Sequence, residues 1–166
     1  DEIWRAVNEA AGEALESFLA MRAREGERMA ADVSARLGRL EELLGFVEQR
    51  APRTVAQYRE RLYQKLSEVL GDSGVDEQRL VTEAAIFAER VAVAEETVRL
   101  HSHIAQFREI LSQPEAAGRK LDFLTQELNR EANTIGAKCQ DLEVTRAVVD
   151  MKAEIEKIRE QIQNIE

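Results

Sequence analysis

The sequence predicts an all-α protein whose long antiparallel helices form helical hairpins or a bundle, with a coiled-coil-like helix at the C-terminal end. Apolar residues recur every three or four positions along almost the whole chain, and no segment shows the apolar–polar alternation of a strand. Charged residues make up 33% of the chain and aromatic residues only 5%, while turn formers are limited to 8 Gly and 2 Pro. This composition is typical of long helices and coiled coils.

Two helices are expected in residues 1–75, which we predict to form a first domain, a long helical hairpin. Because a proline disfavours helical geometry in the residue before it, we expect the first helix to end at Pro52 and the second to run from there to about Leu70. Residues 71–74, with the sequence GDSG, form the clearest loop. The apolar stripe of the first helix comprises Ile3, Val7, Ala11, Ala14, Phe18, Met21, Met29, Val33, Leu37, Leu40, Leu44 and Val47.

Three further helices are expected in residues 76–166, the predicted C-terminal helical domain. The third runs without a break to about Leu111 and is capped by Asp76 or Ser73, the fourth runs from Arg119 to about Cys139, and Asp141 caps the last. The third helix carries the stripe Leu80, Ala84, Phe87, Val91, Ala94 and Val98. The last helix carries Val144, Val148, Met151, Ile155, Ile158, Ile162 and Ile165. This heptad seam predicts packing against another helix, of the same chain or of a partner.

Charge and composition limit the possible functions. The net charge is −9, so a role with RNA would require local basic clusters or a metal ion, because RNA-binding proteins usually carry a basic surface. The single cysteine, Cys139, excludes an intramolecular disulfide and fits a reducing compartment. We expect no membrane span and no signal peptide. Because the chain begins at Asp1 rather than at Met, we expect a fragment of a longer protein.

The fourth helix carries an unusual polar stripe formed by Asp122, Gln126, Asn129 and Asn133. Asparagine is a poor helix former, because its amide competes with the backbone for hydrogen bonds. The charged and polar neighbours of this stripe are Glu127, Arg130, Glu131, Thr134 and Lys138. The helix therefore forms either one wall of a polar cleft or an ordinary solvated face with paired charges.

A second polar line lies on the third helix, where Glu89, Glu96, Arg99 and His103 follow one another. The only two histidines, His101 and His103, point about 200° apart on a helix, so they do not form a two-histidine metal site. Either Glu96 or His103 could join carboxylates of the fourth helix if the two helices pack side by side. Alternatively, both histidines are surface or interface residues.

Several segments together form a recognisable pattern. They read GRKLDFL at 118–124, QELNREANT at 126–134 and IEKIREQIQNIE at 155–166. Upstream, AEE at 94–96 is followed by Arg99, Leu100, Ser102, His103 and Phe107. This pattern resembles the C-terminal signature of the YicC-type bacterial endoribonucleases, most closely over residues 80–166 and more weakly over 18–36. One departure is Ala92, at a position where an acidic residue is expected.

The resemblance implies a cytoplasmic endoribonuclease that depends on a divalent metal, acts on RNA and is linked to stress or small-RNA regulation. It also implies a ring-like homo-oligomer, a hexamer, that opens and closes around RNA. A strand-containing N-terminal domain, which the resemblance also implies, is not found in this sequence.

Helix faces and motif positions then suggest roles for individual residues in metal-assisted RNA hydrolysis. The ion would be Mn²⁺ or Mg²⁺, since both accept carboxylate ligands. Catalysis is assigned to Glu127, Glu131 and His103, and metal binding to Glu95, Glu96 and Asp122. Single-stranded or stem-loop RNA would be bound through phosphates by Arg119, Arg130 and Lys138, and through sugar or base edges by Gln126, Asn129 and Asn133.

Two other hypotheses remain open at this point. The chain could be a helical oligomerisation or RNA-binding module without catalysis of its own, which the heptad seam and the acidic charge favour. It could also be a coiled-coil scaffold with no RNA role. The scaffold explains the periodicity, but it does not explain why the fourth helix carries Asn129, Asn133 and Thr134 together.

Overall fold

The computed structural model describes residues 1–70, 76–113 and 117–163. Within these ranges it contains five helices and no strand, so the all-α prediction is confirmed. The helices are α1 Glu2–Leu70, α2 Glu77–Val91, α3 Ala94–Leu111, α4 Gly118–Lys138 and α5 Leu142–Gln163. Among them, none combines the length and the apolar character that crossing a bilayer requires.

The helix α1 continues through Pro52, so the predicted helix end at this residue is wrong. A proline inside a helix removes one backbone hydrogen bond and costs about 3 kcal/mol. Packing on both sides of Pro52 opposes this cost, because Ala51 lies against the core and Thr54 is buried. Residues 2–70 are therefore one helix and no hairpin turn forms at Pro52, while the domain boundary expected at residue 75 falls outside the described residues.

The predicted continuous third helix is also wrong, because the chain breaks between α2 and α3. Ala92 has extended backbone angles of φ −61° and ψ 122°, and its neighbour Val93 lies outside the helical region. The buried residues of α2 and of α3 would lie on opposite sides of one straight helix. Breaking the helix buries both sets and leaves Val98, a member of the predicted stripe, 67% exposed.

The core lies between the middle of α1 and the helices α3, α4 and α5. Ion pairs show that α1 runs antiparallel to α5, since Arg36 contacts Glu154 and Arg50 contacts Asp141. The predicted seam of α5 is buried at each described position, namely Val144, Val148, Met151, Ile155, Ile158 and Ile162. The helix α2 packs mainly against the C-terminal part of α1 and lies beside this bundle.

Two acidic residues begin helices, as the sequence predicts. The Asp76 carboxylate accepts hydrogen bonds from the backbone N–H groups of Gln78 and Arg79. Asp141 accepts from the backbone N–H groups of Glu143 and Val144 at 2.8 and 3.2 Å. Its other oxygen accepts from Arg50 Nε at 2.9 Å, so this cap also ties the start of α5 to α1. Ser73, the alternative cap, lies outside the described residues.

The apolar stripe of α1 is buried only from its middle onward. Val33, Leu37, Leu40, Leu44 and Val47 are buried in the core. In contrast, residues 1–28 are exposed throughout, and their apolar members include Ile3 at 82% exposure. The first part of the predicted stripe is therefore not part of the core that the described residues form.

Candidate metal centre between α3 and α4

A polar seam runs between α3 and α4 on one side of the bundle. Residues three or four positions apart share a helix face, so Glu96, Arg99 and His103 project together from α3. They meet polar residues of α4 in the reverse order, with Glu96 bound to Lys138 and Arg99 facing Glu131. The two helices are thus antiparallel, and the seam joins residues that are distant in the sequence.

Three side chains of this seam form a cluster that could hold a metal ion. His103, Glu127 and Glu131 each offer one ligand atom, and these atoms lie within 4.8 Å of one another. The carboxylate of Glu131 is 3% exposed, and that of Glu127 is also largely buried. The cluster is formed across two helices, because His103 comes from α3 and both glutamates come from α4.

Both ring nitrogens of His103 are buried, and neither has a hydrogen-bond partner among the residues that the structure describes. A buried polar group without a partner is destabilising by about 1–3 kcal/mol. We therefore expect the imidazole of His103, which lies beside two carboxylates, to bind a ligand. An ion bound through one nitrogen would supply the missing interaction and would separate the two negative charges. The residues present therefore fit a divalent cation.

Two arginines place positive charge beside the cluster. Arg130 contacts Glu127 at 3.2 Å and Glu131 at 3.3 Å, and its side chain is largely exposed. Arg99 Nε lies 3.7 Å from Glu131 Oε2. The exposed guanidinium of Arg130 marks the side on which the cluster opens to solvent.

The other end of the seam is closed by a buried ion pair. Lys138 Nζ donates a hydrogen bond of 2.7 Å to Glu96 Oε1. Burial alone would raise the pKa of Glu96, but the hydrogen bonds from Lys138 and from the backbone, together with the charges of Lys138 and Arg99, lower it below its ordinary value. The carboxylate is therefore ionised at neutral pH, and its Oε2 is buried without a hydrogen-bond partner in the described ranges of the chain.

Comparison with known proteins identifies the family. Residues 47–166 match the family described as "Endoribonuclease YicC-like, C-terminal". The chain belongs to the YicC-like endoribonuclease family. The matched residues include α3, α4 and α5, and hence the whole polar seam.

Two curated relatives of this YicC-like chain carry the name "Probable endoribonuclease YicC". The protein from Clostridioides difficile (strain 630) is 44% identical over 167 residues, which cover 100% of this chain and 57% of the relative. The protein from Haemophilus influenzae (strain ATCC 51907 / DSM 11121 / KW20 / Rd) is 40% identical over 152 residues, which cover 92% of this chain and 52% of the relative. The chain thus spans little more than half the length of these two relatives.

In this member of the YicC-like family, the three residues assigned to catalysis from the sequence lie together, whereas those assigned to metal binding lie elsewhere. Glu95 is exposed and contacts Arg99 at 2.7 Å. Glu96 is bound to Lys138, as described above. Asp122 accepts a hydrogen bond of 2.8 Å from Gln126 on the same helix. Within the part of the chain that the structure describes, the possible metal cluster is therefore formed by the residues assigned to catalysis.

The residues assigned to RNA binding in this YicC-like chain fall into two groups. Gln126, Asn133, Arg119 and Arg130 are exposed, and Asn133 Nδ2 donates to the half-buried Asn129 at 3.1 Å. They form an accessible polar surface on α4 around the cluster. Lys138 differs, because its ammonium group is already paired with Glu96.

One residue of the seam received no role from the sequence, although its position carried a signal. Arg99 lies on the polar line of α3, one turn before His103, and the structure places it between the ion pair of Glu96 and the cluster formed with Glu131. The helical period predicts that it shares a face with His103. Only the packing of α3 against α4 shows that it faces Glu131.

Proposed function

We propose that this chain is the metal-dependent catalytic part of an endoribonuclease, with His103, Glu127 and Glu131 as the residues that hold a divalent ion. The observation that carries this proposal is the convergence of these three side chains, with both imidazole nitrogens of His103 buried and unpartnered by any described residue. The names of the relatives support RNA as the substrate and hydrolysis as the reaction.

The ligand types favour Mn²⁺ over Mg²⁺. Magnesium prefers oxygen ligands in octahedral geometry, whereas an imidazole nitrogen suits first-row transition metals. A bound ion would supply an activated water and would stabilise charge on a phosphate oxygen. The chain supplies the ligand set, keeps Glu131 away from bulk water and places the guanidinium groups of Arg99 and Arg130 beside the carboxylates.

RNA would approach from the exposed side of α4. Arg130 lies at the edge of the cluster, where its guanidinium can bind a phosphate, and Arg119 lies on the same helix toward its start. The amides of Gln126 and Asn133 are exposed and can reach sugar or base edges of single-stranded or stem-loop RNA. This local arrangement compensates for a net charge of −9, which would otherwise repel RNA.

A cleavage assay tests the proposal. The chain should cleave a stem-loop RNA with single-stranded flanks in Mn²⁺, and EDTA should abolish the activity. Glu131→Gln and His103→Asn should remove both cleavage and Mn²⁺ binding measured by calorimetry. Glu143→Gln is the matched control, because Glu143 is a half-buried glutamate of α5 that pairs with Arg146 and is not part of the seam. Full activity of Glu131→Gln and His103→Asn would refute this site.

A second candidate function is an oligomerisation or RNA-binding module without catalysis of its own. The exposed apolar residues of α1, among them Ile3, Trp4 and Phe18, favour assembly with other copies. A homo-oligomer, with six copies as the resemblance implies, is compatible with either function. RNA binding without Mn²⁺-dependent cleavage would support the second candidate. Cytoplasmic location and a link to stress stay predictions.

A further inference from the structure

Arg99 occupies an unusual position beside the metal cluster. Its Nη2 contacts the Glu95 carboxylate at 2.7 Å, while its Nε lies 3.7 Å from Glu131 Oε2, beyond hydrogen-bonding distance. Nε is buried and, within the described residues, has no hydrogen-bond partner, although the side chain as a whole is 39% exposed. The guanidinium thus has one edge turned toward the cluster and another turned toward solvent.

A purely structural arginine at this position would be expected to close the gap to Glu131. A charge-assisted hydrogen bond to the carboxylate would satisfy the buried Nε. Instead, the short contact is with Glu95, whose side chain is 77% exposed. An exposed ion pair between residues four positions apart is weak and easily exchanged. The guanidinium of Arg99, a strong hydrogen-bond donor, is therefore paired only with an exposed carboxylate, and it lies next to the place where the ion would bind.

We infer that Arg99 binds a phosphate of RNA beside the ion, and that Glu95 occupies the guanidinium when RNA is absent. This inference rests on the proposed function, since it places the phosphate next to the cluster of His103, Glu127 and Glu131. The planar guanidinium matches the two oxygens of a phosphate. Because Glu95 is exposed, its carboxylate can turn to solvent when a phosphate replaces it. Glu95 is then a competitor of RNA rather than a metal ligand.

The alternative is that Arg99 only positions Glu131, and the two roles predict opposite effects on metal binding. A positioning residue supports the ligand set, so its loss should weaken Mn²⁺ binding. A phosphate-binding cation beside the ion repels it, so its loss should leave Mn²⁺ affinity unchanged or increase it. RNA binding separates the roles further, because it can be measured in EDTA without any ion.

The first variant is Arg99→Gln, studied in the complete chain by calorimetry with Mn²⁺ alone and by fluorescence anisotropy with a labelled single-stranded RNA in EDTA. We expect Mn²⁺ affinity to be retained and RNA affinity to fall roughly tenfold. The slope of log affinity against log salt should decrease by about 0.7, the value for one phosphate contact on a single strand. Circular dichroism should confirm that the variant is folded.

The second variant is Glu95→Gln, with Glu109→Gln as the control because Glu109 is an exposed glutamate on the same helix. Freeing Arg99 should strengthen RNA binding roughly two- to fivefold beyond the general effect of Glu109→Gln. The gain should vanish when Arg99→Gln is also present, because the two residues then no longer interact. Mn²⁺ affinity should not decrease in Glu95→Gln.

Weaker Mn²⁺ binding by Arg99→Gln, with RNA binding in EDTA unchanged, would overturn the inference and make Arg99 a positioning residue. Equal effects of Glu95→Gln and Glu109→Gln would overturn the role of Glu95 as a competitor. Failure of the proposed function would give a different result, because the unaltered chain would then not bind Mn²⁺ at all. The RNA measurements in EDTA would still test whether Arg99 binds RNA.

Discussion

Lys138 at the end of α4 donates a 2.7 Å hydrogen bond to the buried carboxylate of Glu96 in the first turn of α3. The pair joins the two helices that carry the cluster of His103, Glu127 and Glu131 and fixes their antiparallel arrangement at one end. The sequence assigns Lys138 to RNA phosphates, whereas in the structure its ammonium group is paired with Glu96.

Lys138→Met should therefore destabilise the fold, because it leaves the charge of Glu96 buried without its main partner. We expect the free energy of unfolding, measured by urea denaturation, to fall by about 1–3 kcal/mol. The double variant Lys138→Met with Glu96→Leu should recover much of the loss, since no buried charge then remains. A loss as small as that of Lys152→Met, which changes an exposed lysine of α5, would contradict this account.

Mn²⁺ should stabilise the folded chain. A ligand that binds only the folded state at roughly 100 times its Kd adds about 2.7 kcal/mol to the free energy of unfolding. We expect Mn²⁺ to raise Tm in a thermal scan, Mg²⁺ to raise it less, and EDTA to reverse the effect. Glu131→Gln should abolish the Mn²⁺-dependent shift and Glu143→Gln should retain it. An equal shift in both variants would mean that the ion binds elsewhere.

Asp141 should make the stability of the fold depend on pH. Burial would raise its pKa, but the hydrogen bond from Arg50 and those from the backbone of Val144 and Glu143 outweigh burial and lower it below its ordinary value. A carboxyl whose pKa is lowered on folding stabilises the fold above the pKa of the unfolded chain, about 3.9 for aspartate. That contribution is lost as the pH falls through the lower, folded pKa.

Urea denaturation between pH 7 and pH 3 checks this expectation. The unaltered chain should lose stability on acidification, and Asp141→Asn should be less stable at pH 7 but lose less as the pH falls. Asp150→Asn is the control, because Asp150 is an exposed residue of the same helix. An equal pH dependence of stability in Asp141→Asn and Asp150→Asn would show that the cap residue of α5 does not cause the loss of stability in acid.

Two glycines inside helices should respond differently to alanine. A Cβ at Gly45 meets nothing within 4 Å, whereas a Cβ at Gly136 would lie 3.1 Å from Val148 Cγ1. Replacing an unhindered helical glycine by alanine stabilises a protein by roughly 0.5–1 kcal/mol. Gly45→Ala should show this gain in urea denaturation, and Gly136→Ala should show less or become destabilising because α4 and α5 are in close contact there. A larger gain at Gly136 would contradict the observed packing.

The sequence by itself determined that the chain is helical, and it determined which face of α5 is buried. Helical periodicity is a local property, so the stripe of α5 and the caps Asp76 and Asp141 could be predicted without knowledge of the neighbours. The pattern GRKLDFL at 118–124 with QELNREANT at 126–134 likewise indicated the family.

Tertiary structure decided where helices continue and where they break. Pro52 lies inside α1 because packing around it outweighs the cost of a lost backbone hydrogen bond, and propensity alone predicted the opposite. The break at Ala92 and Val93 arises because the buried faces of α2 and α3 meet different neighbours. Both features depend on long-range contacts, which local sequence patterns do not specify.

The candidate site shows the same division. The sequence pointed to His103, Glu127 and Glu131 as reactive residues, because each lies on a polar face of its helix. It assigned metal binding to a different set, Glu95, Glu96 and Asp122, since helical spacing shows which residues share a face but not which faces meet. The antiparallel packing of α3 on α4 brings the first three within 4.8 Å of one another and places Lys138 on Glu96.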